Sequence, residues 1–420
     1  MLICHTSDWH LAASGSKRAP SGRNARLEDR CRCARFVVED AVKRGADLIV
    51  HCGDVFDRWH VTPTEVRLAK QAFVPALDAK IPVVIVKGNH DDVRSPTEFN
   101  ALDHLREMVG VTVVDQPCLL DVWEGSHRTM VTPSPEKRPE VDSTMVQLAC
   151  LPYPQPNLLL RDEDTRQLSP GERNLLIREK MMEVARGLAA DRREGVPRLL
   201  LGHFSVDMAE AGQQNRLMAL GGEFTLNVHE LAALGFEAVL LGHIHKGQTF
   251  PKMPVVYSGS PEACSFGEEG EPKYYLLVSP HEDDEHKGYW NIGFEMVATP
   301  YRPLVTLDPL QDFTDEGELT AEAPVVEHAI VRVELPAGSP LDLNAVRREV
   351  EACGAFEVRV TKARAETERR VRESDVSHGQ ALPEQINAWL EFHPDYQPHA
   401  DALIAEAVKL EEAVAEGGAA

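Results

Sequence analysis

The stretch MLICHTSDWHL (1–11) joins a short apolar run to a cluster of polar side chains, and this pairing decides the fold. The run at 2–4 is typical of a buried strand, and the polar residues at 5–10 follow its end. The same pairing returns four times, at 48–54 (LIVHCGD), 83–90 (VVIVKGNH), 199–203 (LLLGH) and 238–245 (AVLLGHIH). Amphipathic helical stretches are predicted at 27–44, 65–77 and 173–193. Strands that alternate with helices indicate an α/β fold.

In such sheets, ligands bind beyond the carboxyl ends of the strands, where all five polar clusters fall. The clusters supply carboxylate, amide and imidazole groups: Asp8, His10, Asp54, Asn89, His90, His203, His243 and His245. Mixed nitrogen and oxygen ligands favour Mn, Fe or Zn over Ca or Mg, and the lack of thiolates argues against structural zinc. Two metals about 3.5–4 Å apart can clamp the attacking and leaving oxygens of a phosphoryl displacement. The pattern therefore predicts a two-metal phosphoesterase site.

The five clusters, in this order, resemble the calcineurin-like metallophosphoesterase superfamily. The stretches HTSDWHL (5–11), GDVFD (53–57) and YSGSP (257–261) followed by SFGE (265–268) more narrowly resemble the SbcD/Mre11 DNA double-strand-break repair nucleases, in their bacterial SbcD form. The resemblance is close over about residues 1–305. It implies an α/β two-sheet metallophosphoesterase sandwich flanked by helices, with a small α/β capping domain and C-terminal helices.

The resemblance also implies roles for individual residues. It assigns one metal to Asp8, His10, Asp54 and His245, and the other to Asp54, Asn89, His203 and His243, with Asp54 as the bridge. The expected cofactors are two Mn²⁺ ions, with other divalent metals as alternatives. His90 is the expected catalytic residue, assisting the transition state or protonating the leaving 3′-oxygen.

Several other residues near the motifs are expected to support the site or the core. Asp57 and Asp91 are candidates for a supporting layer behind the ligands. Asp57 stands where archaeal and eukaryotic relatives usually carry a second histidine, and we expect it to orient His90 or a nearby backbone group. His5 and His51 are more typical of packing or of that supporting layer than of metal ligands.

Three regions are predicted along the chain: a nuclease domain at 1–305, a capping domain at 306–380 and a helical segment at 381–420. The acidic run at 311–327 is interpreted as a linker or loop. The capping domain is predicted to contain strands at 329–335 and 356–361 and a helix at 343–353. An apolar stripe on the last segment either packs on its own domain or binds a partner. The resemblance favours docking of a coiled-coil ATPase of the SbcC/Rad50 type.

The formal charge of −23 argues against a general polyanion binder. The stretch 17–35 is the exception, with a net charge of +5, and it follows the first metal motif directly. Lys17, Arg18, Arg23 and Arg26 are candidate DNA contacts there, with an ordinary solvated helix face as the alternative. We therefore predict weak DNA affinity for this chain alone, with a partner subunit supplying most of the non-specific binding.

The leading functional hypothesis is a Mn-dependent DNA nuclease subunit, acting as a double-strand exonuclease and as an endonuclease on hairpins or single strands. The resemblance implies work in repair, recombination and replication, as a homodimer within a heterotetramer. One alternative is a phosphoesterase for nucleotides or small phosphodiesters, and another is a non-catalytic metal-binding scaffold for the ATPase. The chain shows no signal-peptide pattern and no apolar window of ~18 residues. Its eight cysteines form no CxxC pair. A cytoplasmic protein without membrane contact, nucleoid-associated when on DNA, is expected.

Overall fold

The computed structural model describes residues 1–15, 17–91, 100–125, 128–134, 144–155, 168–210, 223–362, 400, 402 and 404–405. Within them, helices run α1 Ala25–Lys43, α2 Pro63–Asp78, α3 Asp103–Arg106, α4 Pro170–Ala190, α5 Val228–Ala232 and α6 Leu343–Ala352. A single 3₁₀ turn spans Phe266–Glu268. No helix among these residues is long and apolar enough to cross a bilayer.

The strands of the first half are β1 Ile3–Thr6, β2 Leu48–Cys52, β3 Val83–Val86, β4 Val111–Val114, β5 Cys118–Glu124, β6 Thr129–Pro133, β7 Thr144–Leu151, β8 Arg198–His203 and β9 Ser205–Val206. Those of the second half are β10 Thr225–Leu226, β11 Ala238–Gly242, β12 Gln248–Thr249, β13 Val255–Tyr257, β14 Tyr274–Glu282, β15 Trp290–Ala298, β16 Leu304–Leu307, β17 Ile330–Leu335 and β18 Glu357–Lys362.

Two large sheets carry the site. The first has the strand order β15-β14-β1-β2-β3-β4, and β1 to β4 are parallel neighbours. The second has the order β12-β13-β11-β8-β7-β5-β6, with β7, β8, β11 and β13 parallel. The predicted buried runs are therefore central strands. Strands β9 and β10 form a separate two-stranded pair.

The sheets pack face to face and bury alternate side chains of their strands between them. Ile3, Val50 and Val86 of the first sheet share one apolar cluster with Leu201 and Leu240 of the second. The opposite faces are covered by helices: α1 and α2 pack on the first sheet, and α4 packs on the second. This arrangement confirms the predicted α/β two-sheet sandwich flanked by helices.

Local sequence signals explain where the flanking helices begin. Thr62 and Glu65 cap each other's backbone at the start of α2, and Ser169 and Glu172 do the same for α4. Such reciprocal caps satisfy N–H groups that the first turn leaves unpaired. Each helix has proline in its first turn, where a missing N–H costs nothing.

A small α/β unit follows the sandwich. Its strands β16, β17 and β18 are parallel, and Val346 and Val350 of α6 pack on the apolar cluster of this sheet. The acidic run at 311–327 lies between β16 and β17 without helix or strand. It is more than a linker, because Phe313 and Val326 insert into the same cluster. The predicted C-terminal helices, and residues 363–380 of the predicted capping domain, lie almost wholly outside the described residues.

Candidate metal centre

The parallel strands of both sheets direct their carboxyl ends toward one place. Asp8 follows β1, Asp54 follows β2, and Asn89 with His90 follows β3. His203 ends β8 in the other sheet, and His243 and His245 follow β11. The polar clusters therefore meet across the top of the sandwich.

The backbone is unusual at this junction. Four of the predicted ligands have positive φ angles: Asp8 (54°), His10 (45°), Asp54 (58°) and His243 (91°). Non-glycine residues adopt this region at an energetic cost, which a surrounding structure must offset. Gly53 shows why the loops tolerate nothing larger, since a Cβ there would lie 2.2 Å from Nδ1 of His203.

One group of ligands forms around two imidazoles from different sheets. Nε2 of His10 lies 3.0 Å from Nε2 of His245 and 3.9 Å from Oδ1 of Asp8. All three side chains are buried, and their donor atoms lie within 4.8 Å of one another. Asp8 is held in turn by the Ser7 hydroxyl and by the backbone N–H of His243. These atoms form the first candidate metal position.

A second group lies beside the first. Oδ1 of Asn89 is 3.0 Å from Nε2 of His203 and 3.1 Å from Nδ1 of His243. Oδ2 of Asp54 lies 3.3 Å from the same nitrogen of His203. That oxygen is also 3.6 Å from Nε2 of His10, so the Asp54 carboxylate reaches both groups. The carboxylate therefore lies between the two groups.

The hydrogen-bond roles of these atoms test whether a cation fits. Nδ1 of His203 donates to the carbonyl of Cys52, so in the neutral imidazole its Nε2 carries a lone pair. Nδ1 of His245 donates to Glu268, so in the neutral imidazole its Nε2 also carries a lone pair. These lone pairs face Asn89 and Asp54 oxygens in one group and the His10 ring nitrogen in the other. With neutral rings, acceptors face acceptors in both groups, so the cluster needs positive charge from added protons or from metal cations. The residues therefore fit a metal centre.

Burial and neighbouring charges shift the pKa values of the groups in this cluster. Burial favours the neutral acid of Asp54, but His203 and His10 outweigh burial and lower the pKa of this carboxyl group. Burial disfavours charge on His203 as well, yet Asp54 raises its pKa to about 9. Burial lowers the pKa of His10. The Asp54 carboxylate is therefore ionised and compensates the positive charge beside it, from protons or from metal ions.

Asp57 supports two histidines. Its Oδ1 lies 3.1 Å from Nδ1 of His10, and its backbone carbonyl accepts from Nδ1 of His90 at 2.7 Å. The His10 contact differs from the expectation, which had Asp57 orient His90 or a nearby backbone. The His90 ring is half-buried and packs edge-on against His10.

Asp91 ties the second and third loops together. It is buried, and its carboxylate accepts from the backbone N–H groups of Asp54, Phe56 and Gly88 at 2.8, 3.1 and 3.2 Å. Burial, and next the Asp54 charge, raise the pKa of Asp91 to about 6. The residue thus holds Asp54 through its own backbone and Asn89 through the preceding Gly88, rather than through direct contact with a ligand atom.

Two glutamates behind the centre are absent from the residues predicted from sequence. Oε2 of Glu223 lies 3.1 Å from Nε2 of His243, and its other oxygen accepts from the Tyr153 hydroxyl at 3.1 Å. Oε1 of Glu268 accepts from His245 at 2.9 Å. The SFGE stretch that contains Glu268 carries part of the family resemblance but indicates no role for the glutamate. Glu223 stands in a loop with no pattern that would identify it.

A sequence comparison identifies the architecture. Residues 1–247 match the family model described as calcineurin-like phosphoesterase. The chain belongs to the calcineurin-like phosphoesterase family. The polar clusters at the strand ends of this phosphoesterase lie within or at the end of the matched segment.

Curated relatives extend the likeness beyond the matched segment. A Bacillus subtilis (strain 168) protein, named as the SbcD subunit of the nuclease SbcCD, is 26% identical over 372 residues, 85% of this phosphoesterase and 84% of the relative. Its namesake from Escherichia coli (strain K12) is 26% identical and covers 66% of this chain and 65% of its own. A solved dimetal phosphatase from Danio rerio covers 71% of this chain and 96% of its own, with 10% identity and a TM-score of 0.38. At that score, the solved structure carries no part of the assignment.

The four residues predicted to contact DNA differ in how exposed they are and in what they contact. Arg26 is buried and its guanidinium contacts Glu262, Asp29 and the carbonyl of Ala263, so we withdraw it from that set. Arg23 pairs with Glu28 on the surface, and Arg18 donates to a neighbouring carbonyl. The exposed Lys17 lies over the ring of Phe356, 4.4 Å from its centroid.

His5 and His51 lie in the core of the phosphoesterase, beneath the ligand groups. Both are fully buried, and burial lowers the pKa of each to about 3. The His51 ring packs edge-on against Trp9, with 4.7 Å between centroids. They are neutral packing residues, one of the two roles expected for them.

Proposed function

We propose that this chain is a nuclease subunit of the SbcD type that hydrolyses DNA phosphodiesters at a centre of two Mn²⁺ ions. The observation that carries the proposal is the convergence of acceptor atoms in two adjacent groups that share Oδ2 of Asp54. A phosphoesterase fold and curated relatives named as SbcD subunits of the nuclease SbcCD support the choice of nucleic acid as substrate. Double-strand ends, hairpins and single strands are the proposed substrates.

Each ligand group would hold one ion. Asp8, His10, Asp54 and His245 would hold the first, and Asp54, Asn89, His203 and His243 the second. When bound, the ions would supply positive charge to the phosphodiester and to the attacking water. The protein prepares this arrangement, since His203, His243 and His245 each hydrogen-bond a carboxylate or carbonyl through the second ring nitrogen. The second nitrogen of His10 lies 3.1 Å from the Asp57 carboxylate.

His90 is the proposed acid–base group. Its Nδ1–H is held by the Asp57 carbonyl, and its backbone N–H donates to Oδ1 of Asp54 at 2.9 Å. The ring therefore has a fixed position relative to the ligand that reaches both metal groups. Its Nε2 can deliver a proton to the leaving 3′-oxygen of the broken phosphodiester.

A groove between the sandwich and the small unit is the proposed path for DNA. It encloses about 790 Å³ and is lined by the basic side chains Lys17, Arg347 and Arg359 and by the acidic Glu351 and Glu357, with Ser265 and Phe266 on the sandwich side. Arg359 pairs with Glu357, so Lys17 and Arg347 carry most of the positive charge. Basic side chains in a cleft raise the local concentration of phosphates even on an acidic chain. We propose that the small unit acts as the cap that presents DNA.

The assembly is also a proposal. The relatives are named as a subunit of the nuclease SbcCD, so we propose a homodimer of this chain that works with a coiled-coil ATPase of the SbcC/Rad50 type in the cytoplasm. The segment 381–420 remains the proposed docking element for the ATPase. Such a partner would supply most of the non-specific DNA binding.

A substrate comparison tests the proposed function. Full-length protein in Mn²⁺ is incubated with labelled hairpin DNA, blunt duplex DNA, cyclic nucleotides and bis(p-nitrophenyl) phosphate, beside Asp54→Asn and an EDTA control. Cleavage of the DNA substrates that is lost in the variant and in EDTA is expected. Turnover of the small phosphodiesters with intact DNA would contradict the nuclease and favour a small-molecule phosphoesterase. No turnover of any substrate would favour a scaffold.

A further inference from the structure

The Phe266–Glu268 turn lies between the metal centre and the small unit and contacts both. On one side, Oε1 of Glu268 accepts from Nδ1 of His245 at 2.9 Å, and Glu268 is 3% exposed. On the other side, the guanidinium groups of Arg332 and Arg359 lie over the ring of Phe266, at 4.5 and 5.9 Å from its centroid. A three-residue turn that is held from both sides has little freedom to move one contact without the other.

The inner contact is built to hold its geometry. Oε2 of Glu268 accepts from Nζ of Lys273 at 2.6 Å, and Lys273 is 1% exposed. The same oxygen accepts from the backbone N–H of Cys264 at 3.1 Å. Lys273 also donates to Ser260 and to the carbonyl of His245. The carboxylate is thus locked in place, with one oxygen neutralised and the other aimed at the imidazole.

An alternative interpretation of this cluster is a metal site of its own. One ligand atom from each of His245, Cys264 and Glu268 lies within 4.8 Å of the others. The buried ammonium of Lys273 argues against a cation there, because a metal ion would compete with it for Glu268 and meet its positive charge. The Nδ1 atom of His245 is moreover occupied as a donor, which leaves Nε2 for the main centre.

The outer contact continues into the small unit. Glu269, next to the turn, accepts from the backbone N–H and the hydroxyl of Thr306, both at 2.5 Å. Arg332 donates to that hydroxyl at 3.0 Å, so the arginine touches the turn through both Phe266 and Thr306. Thr306 is on β16 and Arg332 on β17 of the small sheet. Two strands of the small unit therefore contact the segment that carries Glu268.

We propose that Glu268 is a positioning residue that sets the imidazole of His245 for metal binding, and that the small unit braces it through the Phe266–Glu268 turn. The proposal rests on the metal centre of the proposed function. It adds that the small unit influences metal binding at the first of the two positions. A docked small unit keeps the first metal position assembled. Loss of the brace weakens that position and leaves the group of Asn89, His203 and His243 as it was.

Metal titration of matched variants tests the inner half. E268M/K273M replaces the buried pair by apolar side chains of similar length, a change that buried ion pairs often tolerate. E268Q/K273M differs only in keeping an acceptor for His245. In calorimetric titration with Mn²⁺, E268M/K273M is expected to bind one of the two ions about 10–100-fold more weakly than the wild type. E268Q/K273M is expected to recover most of that affinity. Equal isotherms for the two variants, at equal melting temperatures in EDTA, would overturn the proposal.

Surface substitutions test the outer half without disturbing the core. R332M/R359M removes both cations over Phe266, and the control R348M removes an exposed arginine of α6 that does not line the groove. Mn²⁺ affinity at one site is expected to fall about 2–5-fold in R332M/R359M and to stay unchanged in R348M. Unchanged affinity in R332M/R359M would overturn the bracing. A wild-type chain that binds two Mn²⁺ but leaves DNA intact would contradict the nuclease function and not this proposal.

Discussion

The backbone carbonyl of Asp57 accepts the Nδ1–H of His90 at 2.7 Å, while the carboxylate of the same residue lies 3.1 Å from Nδ1 of His10. One residue thus holds the proposed acid–base group through its main chain and a proposed metal ligand through its side chain. The two functions can be separated by mutation, because a substitution removes only the carboxylate.

Asp57→Ala is expected to weaken Mn²⁺ binding at one of the two positions by about 10–100-fold, since outer partners of ligand imidazoles carry effects of that size. The pH dependence of turnover at saturating Mn²⁺ is expected to stay as in the wild type, because the His90 contact is to the backbone. Calorimetry and a pH–rate profile measure the two effects. Asp315→Asn, in the exposed acidic run, serves as control. A wild-type isotherm for Asp57→Ala would contradict the role of the carboxylate.

His90→Ala is expected to lower kcat by about 10²–10⁴-fold, as removal of a general acid typically does. Mn²⁺ content, measured by elemental analysis after dialysis, is expected to remain at the wild-type level, because His90 is assigned to neither metal position. His60→Ala removes an exposed histidine nearby and is expected to keep full activity. Loss of metal together with activity would show that His90 is a ligand.

Gly242→Ala is expected to disrupt the metal centre. An added Cβ would lie 1.9 Å from the Cys52 carbonyl and 2.8 Å from Cβ of Ser7, so the β2 and β11 loops would have to separate. Overpacking of this kind costs about 1–3 kcal/mol or more. Gly187→Ala is the matched control, since nothing lies within 4 Å of a Cβ there and helix α4 is expected to gain about 0.5–1 kcal/mol. Thermal unfolding and Mn²⁺ titration compare the two, and equal behaviour would contradict the tight contact.

Asp29→Asn is expected to change the acid stability of the chain. Burial alone would raise the pKa of Asp29, but Arg302, Arg32 and Arg26 outweigh burial and lower it from 3.8. We take 3.8 as the pKa of Asp29 in the unfolded chain. The ionised carboxylate stabilises the fold fully at pH values above this pKa. The stabilisation is lost as pH falls through the lower pKa of the folded state. Loss of a buried partner costs about 3–5 kcal/mol.

Unfolding in urea from pH 7 to pH 2.5 measures the effect of Asp29→Asn. The difference in unfolding free energy between wild type and variant is expected to be constant above about pH 5 and to shrink below about pH 4. A difference that stays constant down to the lowest pH would show that the Asp29 charge contributes nothing.

The ends of the strands could be predicted because their signal is local. An apolar run followed by Gly and a polar residue marks the end of a buried strand, and Asp54, Asn89 and His203 follow that rule. The partners behind the ligands could not be predicted in the same way. Glu268 meets His245 across 23 residues, and the contacts depend on how loops pack rather than on a repeating pattern.

Arg26 shows that a sequence signal can also point to the wrong role. Its charge and its place after the first motif predicted a DNA contact, but its guanidinium is 3.0 Å from Glu262, which lies 236 residues away. Sequence charge alone does not separate a buried ion pair from a surface one. The distinction needs the tertiary contact between α1 and the segment after β13.

Anomalous diffraction at the manganese edge, from crystals of the full chain grown with MnCl₂, tests the central claim most directly. We expect two peaks about 3.5–4 Å apart, with Oδ2 of Asp54 between them. His10 and His245 should ligate one peak, and His203 and His243 the other. A single peak, or two peaks that do not share Asp54, would contradict the two-metal centre.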